Sequence, residues 1–74
     1  MAGDVSHVRR LKFSPGEGHL YRHQDDYFLV YCGESRSSWD VCPTDATGES
    51  FQTVLVSGAA SREAAVARLR AIVT

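Results

Sequence analysis

One run of six residues, Tyr27-Phe28-Leu29-Val30-Tyr31-Cys32, constrains the fold more than any other feature of the chain. It is aromatic or aliphatic almost throughout and offers no polar face, which is the composition of an interior strand. Such a strand has to be buried on both faces or lie centrally in its sheet, so it needs a partner along each edge. The chain has 74 residues from which to supply those partners. That length makes a single domain over residues 1–74. At this size only about 60% of the unfolded surface is buried, so one modest core must hold the fold.

Turn residues divide the rest of the chain. Ser14-Pro15-Gly16-Glu17-Gly18 reads as a turn, because proline presets φ and glycine accepts positive φ. Gln24-Asp25-Asp26 reads as a second turn, Gly33 to Ser37 as a polar loop, and Thr44 to Ser50 as another loop. Between them lie strand candidates at His19 to His23, at Ser38 to Cys42 (stopped by Pro43), and at Phe51 to Ser57. Near the N-terminus Val5, Val8 and Leu11 follow helical spacing, whereas Leu11 and Phe13 follow strand alternation. The period there is ambiguous, and a short strand is expected near Arg9 to Phe13. Residues 1–7 are expected to be flexible.

The last segment changes period. Ser61 is a good N-cap, Glu63 suits the positive end of the helix dipole, and Ala64 occupies the position where a full capping box has Glu or Gln. Ala65, Leu69 and Ile72, with Val66 and Val73 beside them, form an apolar stripe, while Ala64, Ala67 and Ala71 lie opposite. Arg68 and Arg70 flank the stripe, where their stems can cover its edges. The fold class is therefore α+β: a small antiparallel sheet of three to four strands packed under one C-terminal helix. The helix covers one sheet face. The other is either solvated or the functional surface.

Composition narrows the functional classes. The net charge of −1 lacks the basic excess of a dedicated nucleic-acid binder. Arginine dominates over the single Lys12 and asparagine is absent, a coding bias expected of a GC-rich bacterial or phage gene. No apolar run reaches the length of a membrane span, and Met1-Ala2-Gly3-Asp4 carries no hydrophobic signal region, so the expected compartment is the cytoplasm. Two cysteines, Cys32 and Cys42, do not make a disulfide scaffold, and a reduced pair is expected. If Cys32 pairs opposite Cys42 a bridge is feasible. If it pairs opposite Trp39 the thiols lie on opposite faces.

No catalytic constellation emerges. His19 and His23 with Cys32 and Cys42 supply zinc-ligand types, but on one strand the two histidines stand about 13 Å apart, too far for one ion. Gly33-Glu34-Ser35-Arg36-Ser37 lacks the second glycine and the following helix of a nucleophile elbow. There is no phosphate loop and no dinucleotide fingerprint. The reading is a non-enzyme with neither cofactor nor metal. His7, Arg9, Arg10 and Lys12 form a basic cluster, read first as a charged edge strand that discourages aggregation.

From Tyr27 to Ile72 the chain resembles two families. Trp39-Asp40-Val41 and Ser61-Arg62-Glu63-Ala64-Ala65 resemble the strand and helix start of the plant-type AP2 DNA-binding domain, which implies a three-stranded sheet plus a helix. That family reads DNA with arginines and tryptophans on its sheet. Here Ser38-Trp39-Asp40-Val41-Cys42-Pro43 carries an acid and no arginine, so that chemistry is not carried over. Tyr27, Val41, Pro43, Glu63 and Ala64 also resemble the HicB-like antitoxin domain, although Cys42-Pro43-Thr44-Asp45-Ala46 replaces its Pro-Asp-Leu-Pro-Gly stretch.

The functional expectation is a small non-enzymatic binding or regulatory module: an inhibitor, adaptor or antitoxin-like protein. It would act through the sheet face opposite the helix or through a sheet edge, and would bind a protein partner or self-associate. Tyr, Trp and Arg are enriched at binding hot spots, so Tyr21, Arg22, Tyr31, Arg36 and Trp39 are the candidate site residues. The alternative is nucleic-acid binding through the same sheet, with Arg9, Arg10 and Lys12 on phosphates and aromatic rings as stacking surfaces.

Overall fold

The central run does become the middle strand of the sheet. The structure, a computed structural model, describes residues 4–73. It contains strands β1 (Ser6–Leu11), β2 (Glu17–His23), β3 (Asp26–Cys32), β4 (Trp39–Thr44) and β5 (Val56–Ala59), followed by helix α1 (Arg62–Val73). The sheet order is β1-β2-β3-β4-β5 and every pairing is antiparallel, so the chain folds as a simple meander. The α+β class with a C-terminal helix over an antiparallel sheet stands. The expected three to four strands are five, since β1 and β5 both join. No helix among the described residues is long and apolar enough to cross a membrane.

Cross-strand partners share a face, so the register sorts the side chains. Tyr21 pairs with Phe28, Val30 with Val41, Cys32 with Trp39, and Val41 with Val56. These residues form the core with Val5, Ala59, Ala65, Val66 and Leu69. They define the helix-side face. Leu20 pairs with Leu29, which pairs with Cys42; all three are buried on the far face. The far face is thus not open at its centre. Phe13 and Phe51 flank the Tyr31 ring there, with centroids 5.5 and 6.3 Å away. The loop after β4 is pinned by Asp45, whose Oδ1 accepts from the backbone N–H groups of Thr47 and Gly48 at 2.9 and 3.0 Å. Gly48, at φ +77°, lets that loop lie against Leu11; a Cβ there would collide with the leucine.

Three local features explain where sequence patterning and structure part. First, β1 carries a bulge between His7 and Arg9. The extra residue, Val8, resets the alternation and produces the helix-like spacing of Val5, Val8 and Leu11. The strand begins earlier than expected: Val5 is buried, and Ser6 and His7 already pair with Arg22 and Tyr21. Met1 to Gly3, also expected to be flexible, lie outside the described residues. Second, Pro43 does not stop β4. It pairs opposite Phe28, beyond the end of β5, where β4 has only one neighbour and a missing N–H breaks no ladder. Third, Phe51 to Leu55 is not strand; β5 starts at Val56, and Phe51, Val54 and Leu55 are exposed.

The helix starts as its sequence demands. The Ser61 Oγ accepts the Ala64 N–H at 3.1 Å, and the Ser61 carbonyl accepts the Ala65 N–H at 3.0 Å. Its packed stripe is rotated from the expected one. Ala65, Val66 and Leu69 are buried with Val73 beside them, while Ile72 is 51% exposed. The helix packs on β3, β4 and β5. His19, Tyr21 and His23 on β2 are nevertheless buried on that side, while most of β1 is exposed.

Candidate functional site

On β2 the residues that alternate toward the helix side are Glu17, His19, Tyr21 and His23, and β1 adds His7. A mostly apolar row on β3 and β4 therefore gives way to a titratable row on β2. His19 is 4% exposed. Its Nε2 lies 2.6 Å from Glu17 Oε2, and its Nδ1 lies 3.0 Å from His7 Nε2. With one proton on the ring, that proton belongs on Nε2 facing the carboxylate, which leaves Nδ1 to accept from His7. Arg62 Nη1 approaches both ring nitrogens, at 3.1 and 2.9 Å. One donor cannot lie in the ring plane at two nitrogens at once, so the guanidinium sits over the imidazole face.

Glu17 is the hub of this corner. Its Oε1 is 3.8 Å from Arg10 Nη2 and 3.6 Å from Arg36 Nε. The His19 hydrogen bond, reinforced by the charges of His19, Arg10 and Arg36, holds its carboxyl below the ordinary value. The His7 imidazole is also held below its ordinary value, first by burial and then by His19 and Arg62. Backbone geometry places Glu17. Gly16, at φ +109°, passes so close to the Cys32 carbonyl that any Cβ would overlap it, and the next residue enters β2 opposite Cys32. Arg36 closes a turn in which its N–H donates to the Gly33 carbonyl at 3.2 Å.

Beside this cluster lies a cleft of about 280 Å3 between the helix flank and β1–β2, lined by His7, Tyr21, Arg62, Glu63, Val66 and Arg70. Tyr21 is its floor. The ring is 7% exposed and the His7 ring meets it edge-on at 5.1 Å. At the opposite corner a wider cleft of about 560 Å3 is lined by Asp25, Asp26 and Asp45 around Phe28 and Pro43, beside Thr44. The Thr44 hydroxyl is buried without a hydrogen-bond partner. The molecule is thus acidic at one corner and arginine-rich at the other.

The structure does not gather the five sequence candidates on one surface. Tyr21 floors the small cleft. Trp39 is buried in the helix-side core and its Nε1–H donates to the Arg36 carbonyl at 3.2 Å. Arg36 lies at the Glu17 hub. Arg22 and Tyr31 project to the far face, Arg22 5.8 Å from the Tyr27 ring centroid. The nucleic-acid alternative is divided as well. Arg10 turns to Glu17 on the helix side, and Arg9 donates to the Thr47 carbonyl from the far side at 3.3 Å. Lys12 follows β1 in the loop.

His7, Glu17, His19, Arg62 and Arg70 were not singled out together by sequence reasoning. The spacing of His19 and His23 draws attention along the strand, whereas the real neighbour of His19 is His7 across the hairpin. His23 instead uses its Nδ1–H on the Asp4 carbonyl at 3.0 Å. Cys32 pairs opposite Trp39, so the two thiols lie on opposite faces, free and buried. Burial pushes the Cys42 thiol up. No group of three or more His, Cys, Asp or Glu side chains among the described residues is arranged to hold a metal ion. No family model, no curated protein and no solved structure matches the chain.

Proposed function

We propose that this chain is a small non-enzymatic binding module, of the inhibitor, adaptor or antitoxin-like regulatory kind, whose protein partner docks along the helix flank over the cleft it forms with β1 and β2. One observation supports this location above others: the cleft along the helix flank combines tyrosine, arginine and histidine around a buried floor. Tyrosine and arginine in a partly desolvated pocket are the groups that dominate binding energy at protein interfaces. The far face, by contrast, has its centre filled by Leu20, Leu29 and Cys42 under Tyr31.

The test is capture from the native host with tagged full-length chain, with and without nuclease. A protein that survives nuclease, is lost with Glu63→Trp at the cleft mouth, and is kept by Arg22→Glu on the far face supports the reading. Loss with Arg22→Glu but not with Glu63→Trp relocates the surface and defeats the proposal. Capture that disappears on nuclease treatment favours the nucleic-acid alternative.

A further inference from the structure

We propose that the cleft beside the helix is an oxyanion subsite, in which the Tyr21 hydroxyl and the Arg62 guanidinium, with Arg70 at the rim, receive a carboxylate or phosphoryl group carried by the docking partner. This deepens the preceding proposal and rests on its placement of the docking surface.

Two independent observations point to an anion. The first is Tyr21. Its side chain is almost wholly enclosed, which fixes the hydroxyl in position, and the hydroxyl itself is not a buried orphan. Its hydroxyl forms no hydrogen bond with the other described residues, and the side chain lines the cleft. A donor held there can exchange water for an acceptor brought by a ligand. The second is Arg62. It is half-buried at the first position of α1, laid over the His19 ring, and no carboxylate among the described residues lies within ion-pair distance of it. The carboxylate best placed to serve it, Glu17, is already shared by His19, Arg10 and Arg36. A partly desolvated guanidinium without a counter-charge is costly, and an incoming oxyanion removes that cost.

The remaining lining sets the limits of the ligand. Glu63 opposes an anion, so charge alone does not select the ligand. A pocket of this sort selects a group that also hydrogen-bonds well. Val66 forms an apolar wall suited to the methylene or methyl portion of the side chain that bears the anion. A volume of about 280 Å3 is enough for one such side chain. Both carboxylate and phosphoryl oxygens match the guanidinium fork, and the phosphoryl group brings more charge and more acceptors.

Amide chemical-shift mapping of the full chain, titrated with sodium phosphate and separately with sodium acetate at constant ionic strength set by chloride, tests the subsite. Saturable shifts centred on Tyr21, Arg62, Glu63 and Val66 are expected. Arg62→Gln should weaken binding at least tenfold. Tyr21→Phe, which keeps the packed ring, should weaken it several-fold with the remaining spectrum unchanged. Tighter binding of phosphate than acetate assigns a phosphorylated side chain as the source, and the reverse order assigns an acidic one. Linear shifts spread equally over Arg9, Arg22 and Arg68, or saturation indifferent to Tyr21→Phe, mean an adventitious ion only and overturn the proposal. A partner lost on Glu63→Trp but held at full affinity by Tyr21→Phe and Arg62→Gln removes the oxyanion subsite while leaving the docking surface. A partner indifferent to Glu63→Trp removes the docking surface, and the ion titrations then decide the subsite independently.

Discussion

The two faces of the sheet are buried by different means. On the helix side Val30, Val41 and Val56 meet a regular, rigid cover in Ala65, Val66 and Leu69. On the far side Leu20, Leu29 and Cys42 are covered by irregular chain around Tyr31, with Phe13 and Phe51 at its ring. A helix is a straight rod, here packed over β3, β4 and β5, and its flank meets β1 and β2 at a cleft. A loop has no such rigidity and can follow the sheet. The regular cover therefore leaves a cleft, whereas the irregular cover closes the middle of its face. That difference is why we place the proposed recognition surface beside the helix.

The helix-side cover depends most on Leu69. Leu69 is fully buried, and truncation to alanine should cost about 2–5 kcal/mol, read as a lower denaturation midpoint with little change in slope. Phe51, 60% exposed on the opposite cover, should cost less than about 1 kcal/mol on the same change. Equal losses at the two positions would show that both covers carry the fold alike. Next in size is Gly16→Ala. Positive φ and overlap with the Cys32 carbonyl should together cost about 1–3 kcal/mol and perturb Glu17 amide shifts. A neutral effect would mean the β1–β2 connection is not the device that sets Glu17. Ser61→Ala removes the acceptor of the Ala64 N–H and should cost about 1 kcal/mol, with fraying confined to the first helical turn.

The smallest expected effect is titration of the histidine–glutamate corner, a region absent from the far face. Folding lowers the pKa of both His7 and Glu17, so the unfolded chain binds protons more readily than the folded one. These two groups therefore favour the folded state more at neutral pH than in acid. The His7 contribution begins to fall away as pH drops below its unfolded value of 6.5. The Glu17 contribution is present above its unfolded value of 4.5 and is lost as pH falls through the lower folded value. A melting-temperature profile should decline from pH 7 toward acid, and Glu17→Gln should flatten its most acidic part. A profile that rises toward acid would contradict the hydrogen bond from His19 to Glu17.

Local chemistry was enough for several elements. The apolar run at β3 demanded two neighbours, the Gln24-Asp25 turn joined it to β2, and Ser61 capped a helix at the expected residue. These outcomes depend on neighbours in the chain, where β propensity, turn φ and capping act. The faces did not follow in the same way. Which residues share a side depends on register, and a single bulge at Val8 shifts the parity of β1 so that His7 meets His19 while Arg9 turns to the far face. The helix azimuth was similarly undetermined, because Ile72 and Val73 are adjacent apolar residues and only contact with the sheet chose Val73. Local backbone preferences and hydrophobic period set the kind and order of most elements. The company each side chain keeps came from the assembled fold: Tyr21 beneath a cleft, Trp39 in the core, and His19 between Glu17 and His7. Those relations join residues far apart in the chain, and sheet register and helix placement, not local propensity, bring them together.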